Sequence, residues 1–386
     1  MAKTSIKNCI IRYGVGIFCL VIPLLLCSIN NYVNINTLPS YQIDIHYPEE
    51  LLNKNFYNSL YNTEVSISGK ISGQSFHGTI PIVGSMLVNQ QSFQLTKIIA
   101  ENMLKNVPDP IKFGLIASYI KIVIVADKEK QRITELPEYF EAVKTTDLNS
   151  MEGKNFINSL NNKDQAEGAT FYSHTTAISE ENIMCDSLSD HPNESLFVHE
   201  FSHTIFTIGI GYYDPVRANY NTVPFSPLAP DAYHIDKNVQ DEMRALQDAE
   251  QTAYLSAINK GIYQPKIYMV LNSDEYFAEG SQAYFNAQGR NDVNVLSQSY
   301  LAGIGINYFR HNSMDNQPLA KEEIASFIND TNFGINTYTR LKILDPDLFT
   351  LMQKIYGDPR WDFCKEMPLI LPDCQRFCIF DPYLGQ

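Results

Sequence analysis

His199, Glu200 and His203 stand in the pentad His-Glu-Phe-Ser-His, a spacing at which two imidazoles and one carboxylate can serve a single divalent ion. On a helix, residues four apart lie one turn above each other, so His199 and His203 can aim ring nitrogens at one point. Glu200, beside them, is placed to take a proton from a water that the ion activates, which is the chemistry of a zinc hydrolase. Such a zinc site needs a third protein ligand and leaves its fourth position to water. The candidate is Glu275, in the run Asn272-Ser273-Asp274-Glu275-Tyr276-Phe277-Ala278-Glu279. Asn272 or Ser273 can cap a helix that continues through Phe285, and Glu275 and Glu279 then share a face one turn apart. Glu275 reaches the ion in this geometry, and Glu279 is placed to accept the distal ring N–H of a ligating histidine and fix its tautomer.

These side chains work only if the elements that carry them are helical and buried. Around the pentad, Leu196, Phe197, Phe201, Ile205, Phe206 and Ile208 recur at helical spacing and form a broad apolar surface. Pro192-Asn193 supplies a start signal and Gly209-Ile210-Gly211 a stop. Ahead of that helix, Gln91 to Leu104 reads as an amphipathic helix and Tyr119 to Ala126 as the clearest strand. Alternating residues in Tyr41 to Tyr47 and Glu64 to Ile71 predict short strands and a hairpin ending near Ser85. Residues 145–170, rich in Asn, Asp, Lys and Gly, read as loop, and the proline-rich stretch 212–238 reads as a long surface loop in which Tyr233 and His234 are solvated. A helix is expected from Val239 to Lys260, and a partly helical loop over 287–335.

The 386-residue chain carries a formal net charge of −14, and Lys3, Lys7 and Arg12 lie in a first thirty residues that contain no acid. The excess of acid beyond that point excludes nucleic acid as an expected partner. Residues 1–30 combine this basic start with an almost unbroken apolar stretch from Tyr13 to Ile29, the pattern of a signal peptide or an uncleaved signal anchor. Under either reading the rest of the chain faces away from the cytoplasm, and a membrane is a partner only if the anchor is retained. Of seven cysteines, Cys9, Cys19 and Cys27 fall in this segment, leaving Cys185, Cys364, Cys374 and Cys378. An even number in an exported chain predicts two disulfides with three possible pairings, and Cys185 is expected to tie to the C-terminal segment. Asn193-Glu194-Ser195 and Asn329-Asp330-Thr331 are glycosylation candidates at Asn193 and Asn329.

His-Glu-Phe-Ser-His followed by Glu-Tyr-Phe-Ala-Glu-Gly resembles the catalytic domain of anthrax lethal factor, and the chain is similar to a family of secreted zinc metallopeptidases with such a domain. The resemblance takes in Glu180-Glu181-Asn182, Met184-Cys185, Tyr268, Thr339-Arg340 and Asp345-Pro346, over roughly residues 85–362. It implies that His199, His203 and Glu275 bind one Zn²⁺, that Glu200 is the general base, that Glu279 supports a ligand, and that Tyr268 steadies the oxyanion. It also implies an α+β, zincin-like domain, mostly helical with a small mixed sheet next to the His-Glu-x-x-His helix. The long interval between His203 and Glu275 departs from the family, as does the absence of a cysteine shortly before Glu180. The expected plan is a targeting segment at 1–30, a β-rich extension at 31–84, a catalytic domain at 85–362 and a disulfide-linked tail at 363–386. The expected activity is hydrolysis of a peptide or protein substrate outside the cell, endopeptidase rather than exopeptidase. The alternatives are a catalytically silent binding or adhesion protein with the same zinc fold and a toxin-like protease for a single host protein.

Overall fold

In the computed structural model the described residues are 42–127, 130–139, 166–169, 173–187, 189, 191, 194–214, 235–263, 267–287 and 337–378. Asn193, Asn329, Tyr233, His234 and the 288–335 part of the second expected loop lie outside them, as do residues 1–41. The chain from Gln42 onward forms one compact unit. Its architecture is mixed α and β, a five-stranded sheet with helices packed on it.

The sheet is built on one long strand. Strand β2 (Thr63–Ile71) turns through Ser72-Gly73 into β3 (Gln74–Gly84), antiparallel, with Thr63 opposite Ile82 and Ile71 opposite Gln74. Gly73 sits at a φ of 80°, a backbone conformation that glycine adopts without strain. The other edge of β3 takes β1 (Ile43–Ile45) against Phe76–Gly78 and β4 (Lys121–Val125) against Ile82–Gly84, both parallel. β4 then pairs in parallel with β5 (Thr175–Ser179). The pairing of β3 with β4 crosses residue 84, so the N-terminal hairpin and the elements after it share one sheet. Every residue of β4 and β5 is buried, as parallel strands covered on both faces must be. Lys121, in β4, is held by Glu138 and by the Leu51 carbonyl at 2.9 Å.

Helix α1 (Gln90–Leu104) starts at Asn89, whose side chain accepts from the Gln91 amide. Glu180, first residue of the short helix α3 (Glu180–Ile183), accepts from the Asn89 amide at 2.7 Å and the Ser92 hydroxyl at 3.1 Å. Helix α2 (Asp109–Ala117), uniformly apolar after its first turn and too short for a periodicity signal, was not among the expected elements. Helix α4 (Leu196–His203) carries the pentad and begins three residues after the expected start signal, with Asn182 accepting from the Phe197 amide at 3.3 Å. Past His203 the helix runs on to the expected stop signal, Gly209-Ile210-Gly211, but not as an α-helix. It widens into a π-helix, Thr204–Ile210, and ends as a 3₁₀ turn, Gly211–Tyr213. This segment lies tight against the neighbouring helix: a Cβ on Gly114 of α2 would lie 2.2 Å from the Gly209 carbonyl oxygen.

Helix α5 (Lys237–Lys260) is capped by Asp236 and ends at Gly261, in the left-handed region. Helix α6 (Ser273–Phe285) is the centre of the helical layer, buried at every position from Tyr276 to Phe285. Its side chain at Phe277 stacks near Phe206, ring centroids 4.5 Å apart, and Gly280 lies where a Cβ would meet Leu348 of α8 (Pro346–Tyr356). Tyr356, at the end of α8, places its hydroxyl 3.0 Å from Ser281 and bonds to Ser202, so one phenol ties α4 to α6. Helices α7 (Thr337–Leu344) and α9 (Phe363–Ile370) complete the layer. Disulfides join Cys185 to Cys374 and Cys364 to Cys378, which gives Cys185 the C-terminal partner expected of it and leaves none of the four cysteines to bind a metal. No helix among the described residues is long and apolar enough to cross a membrane.

The close crossing of α2 with the π-turn sets a direct test. Gly114→Ala is expected to lower stability by roughly 1–3 kcal/mol, the usual range for overpacking, read as a shift in the urea midpoint at unchanged slope. An unshifted midpoint rejects the crossing.

Candidate metal centre

Helices α4 and α6 bring three ligand atoms together. His199 Nε2 lies 3.1 Å from His203 Nε2, and one Glu275 oxygen lies 3.0 Å from the first and 3.3 Å from the second. Among the described residues, His199, His203 and Glu275 are the group that can hold a metal ion. The donor set fits Zn²⁺. A tetrahedral zinc with bonds of about 2.0–2.2 Å keeps its ligand atoms about 3.3 Å apart, close to all three separations. Two imidazole nitrogens facing each other at 3.1 Å cannot both present lone pairs there unless a proton or a cation lies between them.

The local sequence explains the placement. The turn between His199 and His203 sets their rings edge to face, 4.8 Å between centroids. Asn272 caps α6 by accepting from the Glu275 amide at 2.9 Å, which fixes the first turn and hence the carboxylate on it. Buried Asp345 accepts hydrogen bonds from Tyr276 at 2.7 Å and Tyr263 at 2.9 Å, locking the residue next to Glu275 from the other side. Glu279, one turn on, places an oxygen 3.5 Å from His199 Nδ1, and Gln282 places its oxygen 3.4 Å from the same nitrogen. Gln282 in turn donates to the Ser195 carbonyl at 3.0 Å. Tyr268, in a 3₁₀ turn (Tyr268–Val270), is 47 % exposed, lies with its ring 5.9 Å from that of His199, and hydrogen-bonds to Glu275.

Glu200 faces a different element. A short stretch, 166–169, runs antiparallel to β5, with Glu167 and Ala177 exchanging both backbone hydrogen bonds at 2.9 and 2.8 Å. The Gly168 amide donates to the Glu200 carboxylate. A Cβ on Gly168 would lie 2.6 Å from His203 Cβ and 2.9 Å from the Glu200 carbonyl, so glycine is what lets this stretch lie on the helix. The Ala169 amide donates to Thr204 Oγ1 at 2.8 Å, and Thr204 Oγ1 lies 2.6 Å from Thr176 Oγ1 of β5. Sequence reasoning missed Gly168, Thr204 and Gln282. Gln282 was within reach, since Glu275, Glu279 and Gln282 follow the i, i+4, i+7 face of α6. Gly168 was not, because nothing in Glu167-Gly168-Ala169 separates it from the loop residues before it.

The electrostatics of the ion-free protein follow from this crowding. Burial alone would lower the pKa of His199, but its hydrogen bonds to Glu275 and Glu279 carry it well above the ordinary imidazole value. Burial works the other way on Glu275, yet the bonds to His199 and His203 hold its carboxyl far below the usual range. Burial raises the Glu200 carboxyl, opposed by the two imidazoles and the Gly168 amide and reinforced by the charge of Glu275. Tyr268 is raised by partial burial and then by Glu275. Glu167, half-buried beside Glu200, is pushed up to about 7, first by burial and then by the Glu200 charge.

No family model, curated protein or solved structure matches this chain.

Two measurements test the centre. Elemental analysis after equilibration with zinc is expected to find one ion per chain, with His199→Ala, His203→Ala and Glu275→Gln each losing it. Retention of stoichiometric zinc by any of the three removes that residue from the ligand set. The second concerns pH. A carboxyl whose folded pKa is about 7 against 4.5 for the ordinary group leaves stability intact below about pH 4.5 and erodes it as pH rises to about 7. In the ion-free protein, Glu167→Gln is therefore expected to gain stability on wild type above pH 7, by up to about 3 kcal/mol, and nothing at pH 4. Matching profiles for the two proteins refute this.

Proposed function

We propose that the chain is an exported zinc metallopeptidase of the kind whose catalytic domain resembles that of anthrax lethal factor, with His199, His203 and Glu275 holding one Zn²⁺. The observation that carries the reading is the triangle of ligand atoms 3.0, 3.1 and 3.3 Å apart, with Glu200 on the adjacent helical position. When bound, the ion lowers the pKa of a water towards neutrality and polarises the carbonyl of the bond to be cut. Glu200 accepts the proton of the attacking water and passes it to the leaving amine, moving it between two atoms a few ångströms apart. The Gly168 amide keeps that carboxylate aimed during both transfers. Tyr268, half-exposed and carrying its proton across the working range, turns its hydroxyl from Glu275 to the carbonyl oxygen as that oxygen gains charge. Glu279 and Gln282 fix the tautomer of His199 by standing at its distal nitrogen. Two disulfides favour an oxidising compartment, in keeping with export.

Purified protein incubated with a mixed peptide library is expected to cleave peptides in a way that a chelator abolishes and added zinc restores. Glu200→Gln is expected to keep one zinc per chain and lose roughly 10²–10⁴ in kcat. Tyr268→Phe is expected to lose roughly 10–10³, the range for a single oxyanion donor. Full activity in Glu200→Gln, or no chelator-sensitive cleavage by wild type, overturns the reading.

A further inference from the structure

We infer that Glu167 and Tyr139 form a subsite beside the general base that takes a cationic nitrogen of the peptide, either a Lys or Arg side chain next to the bond to be cut or a free α-amino group. The inference rests on the peptidase reading above and deepens it to substrate class.

Position comes first. Both backbone bonds of Glu167 to Ala177 are made, and its neighbour Gly168 is pressed against Glu200 and His203. The Glu167 side chain is therefore rooted one residue from the amide that holds the catalytic carboxylate. Its own carboxylate has no hydrogen bond or ion pair with any described residue, although it is half-buried. Tyr139 lies nearby, in the same apolar cluster as Ala177, the backbone partner of Glu167. Tyr139 is 5 % exposed, its hydroxyl is buried without a hydrogen-bond partner, and the charge that acts on it most strongly is that of Glu167, followed by Glu138 and Glu200. A buried hydroxyl left without a partner costs about 1–3 kcal/mol, and beside the half-buried Glu167 carboxylate it marks a place where a ligand completes the bonding.

Charge decides which ligand. Lys121 is the one buried lysine among the described residues, and it is already engaged by Glu138 and the Leu51 carbonyl. Around the metal position stand Glu167, Glu200, Glu275 and Glu279, more carboxylates than one divalent ion neutralises. An ammonium or guanidinium group donates to the Glu167 carboxylate, with the Tyr139 oxygen as a second acceptor, and its charge offsets the repulsion from Glu200. An apolar group at the same place leaves both unmet, and an acidic one adds repulsion.

The test uses the zinc-loaded full chain and a peptide set with Lys, Met or Glu in turn at each residue flanking the cleaved bond, every peptide made with a free and an acetylated N-terminus. Wild type is expected to show a kcat/KM roughly 10- to 100-fold higher for the peptide that carries the cation than for its neutral counterpart. Loss of that advantage on acetylation assigns the subsite to the α-amino group, and loss on Lys→Met assigns it to a side chain. Glu167→Gln is expected to bring the ratio to about 1, Glu167→Lys to invert it in favour of Glu, and Tyr139→Phe to reduce it in part. Calorimetry supplies a readout free of turnover: argininamide is expected to bind wild type and not Glu167→Gln. Equal kcat/KM for Lys, Met and Glu peptides, or discrimination that survives Glu167→Gln, overturns the inference. If no peptide is cleaved, the peptidase reading falls, while argininamide binding that depends on Glu167 still upholds a cation subsite and its absence sinks both.

Discussion

Three buried or half-buried atoms with lone pairs, brought within 3.3 Å of one another, repel unless something positive sits among them. That constraint organises the helical layer. Holding His199, His203 and Glu275 in this proximity requires α4 and α6 to be fixed against each other and against rotation about their own axes. The fixing is done by groups that never meet the ion: the Tyr356 hydroxyl between Ser202 and Ser281, the Phe206 and Phe277 rings, Asn272 and Asp345 at helix starts, and Asn182 at the beginning of α4. Side chains locked by packing and capping hold ligands more rigidly than loops do, and a rigid site loses less on binding.

The sheet contributes through its last pairing. β5 carries Thr176, which meets Thr204 just past the pentad, and the stretch 166–169 fills the space between β5 and α4. A glycine at 168 allows the backbone amide, with no side chain in the way, to reach the carboxylate of Glu200. The three candidate ligands and the Glu200 carboxylate are therefore held by different layers. Helix packing sets His199, His203 and Glu275, and the stretch beside β5 sets Glu200.

How much of this could be read in the residues alone depends on how local the cause was. The pentad, the Asn272 cap and the shared face of Glu275 and Glu279 follow from helical spacing, a property of neighbours in sequence, and α5 and α6 begin within two residues of where spacing places them. The tie from Cys185 to the C-terminal segment was reachable from cysteine count and compartment, but the choice of Cys374 over Cys364 and Cys378 is decided by packing. The π-turn after His203 was illegible, since nothing in Thr204 to Ile210 sets it apart from an ordinary helix. Strand β3 closes the expected hairpin, ending at Gly84 beside the predicted limit near Ser85. Pro81 argues against a strand interior, yet it is tolerated opposite Glu64. Tyr139 and Glu167 gave no signal, because neither residue type at its position is unusual until the other stands beside it.

The bond between Cys185 and Cys374 spans 189 residues, and all the metal-site residues lie inside that span. A single break in the backbone anywhere within it, even one separating the histidines from Glu275, leaves the two fragments covalently joined. The molecule can thus be nicked between its ligand-bearing helices and still travel, and be isolated, as one particle until a reductant parts it.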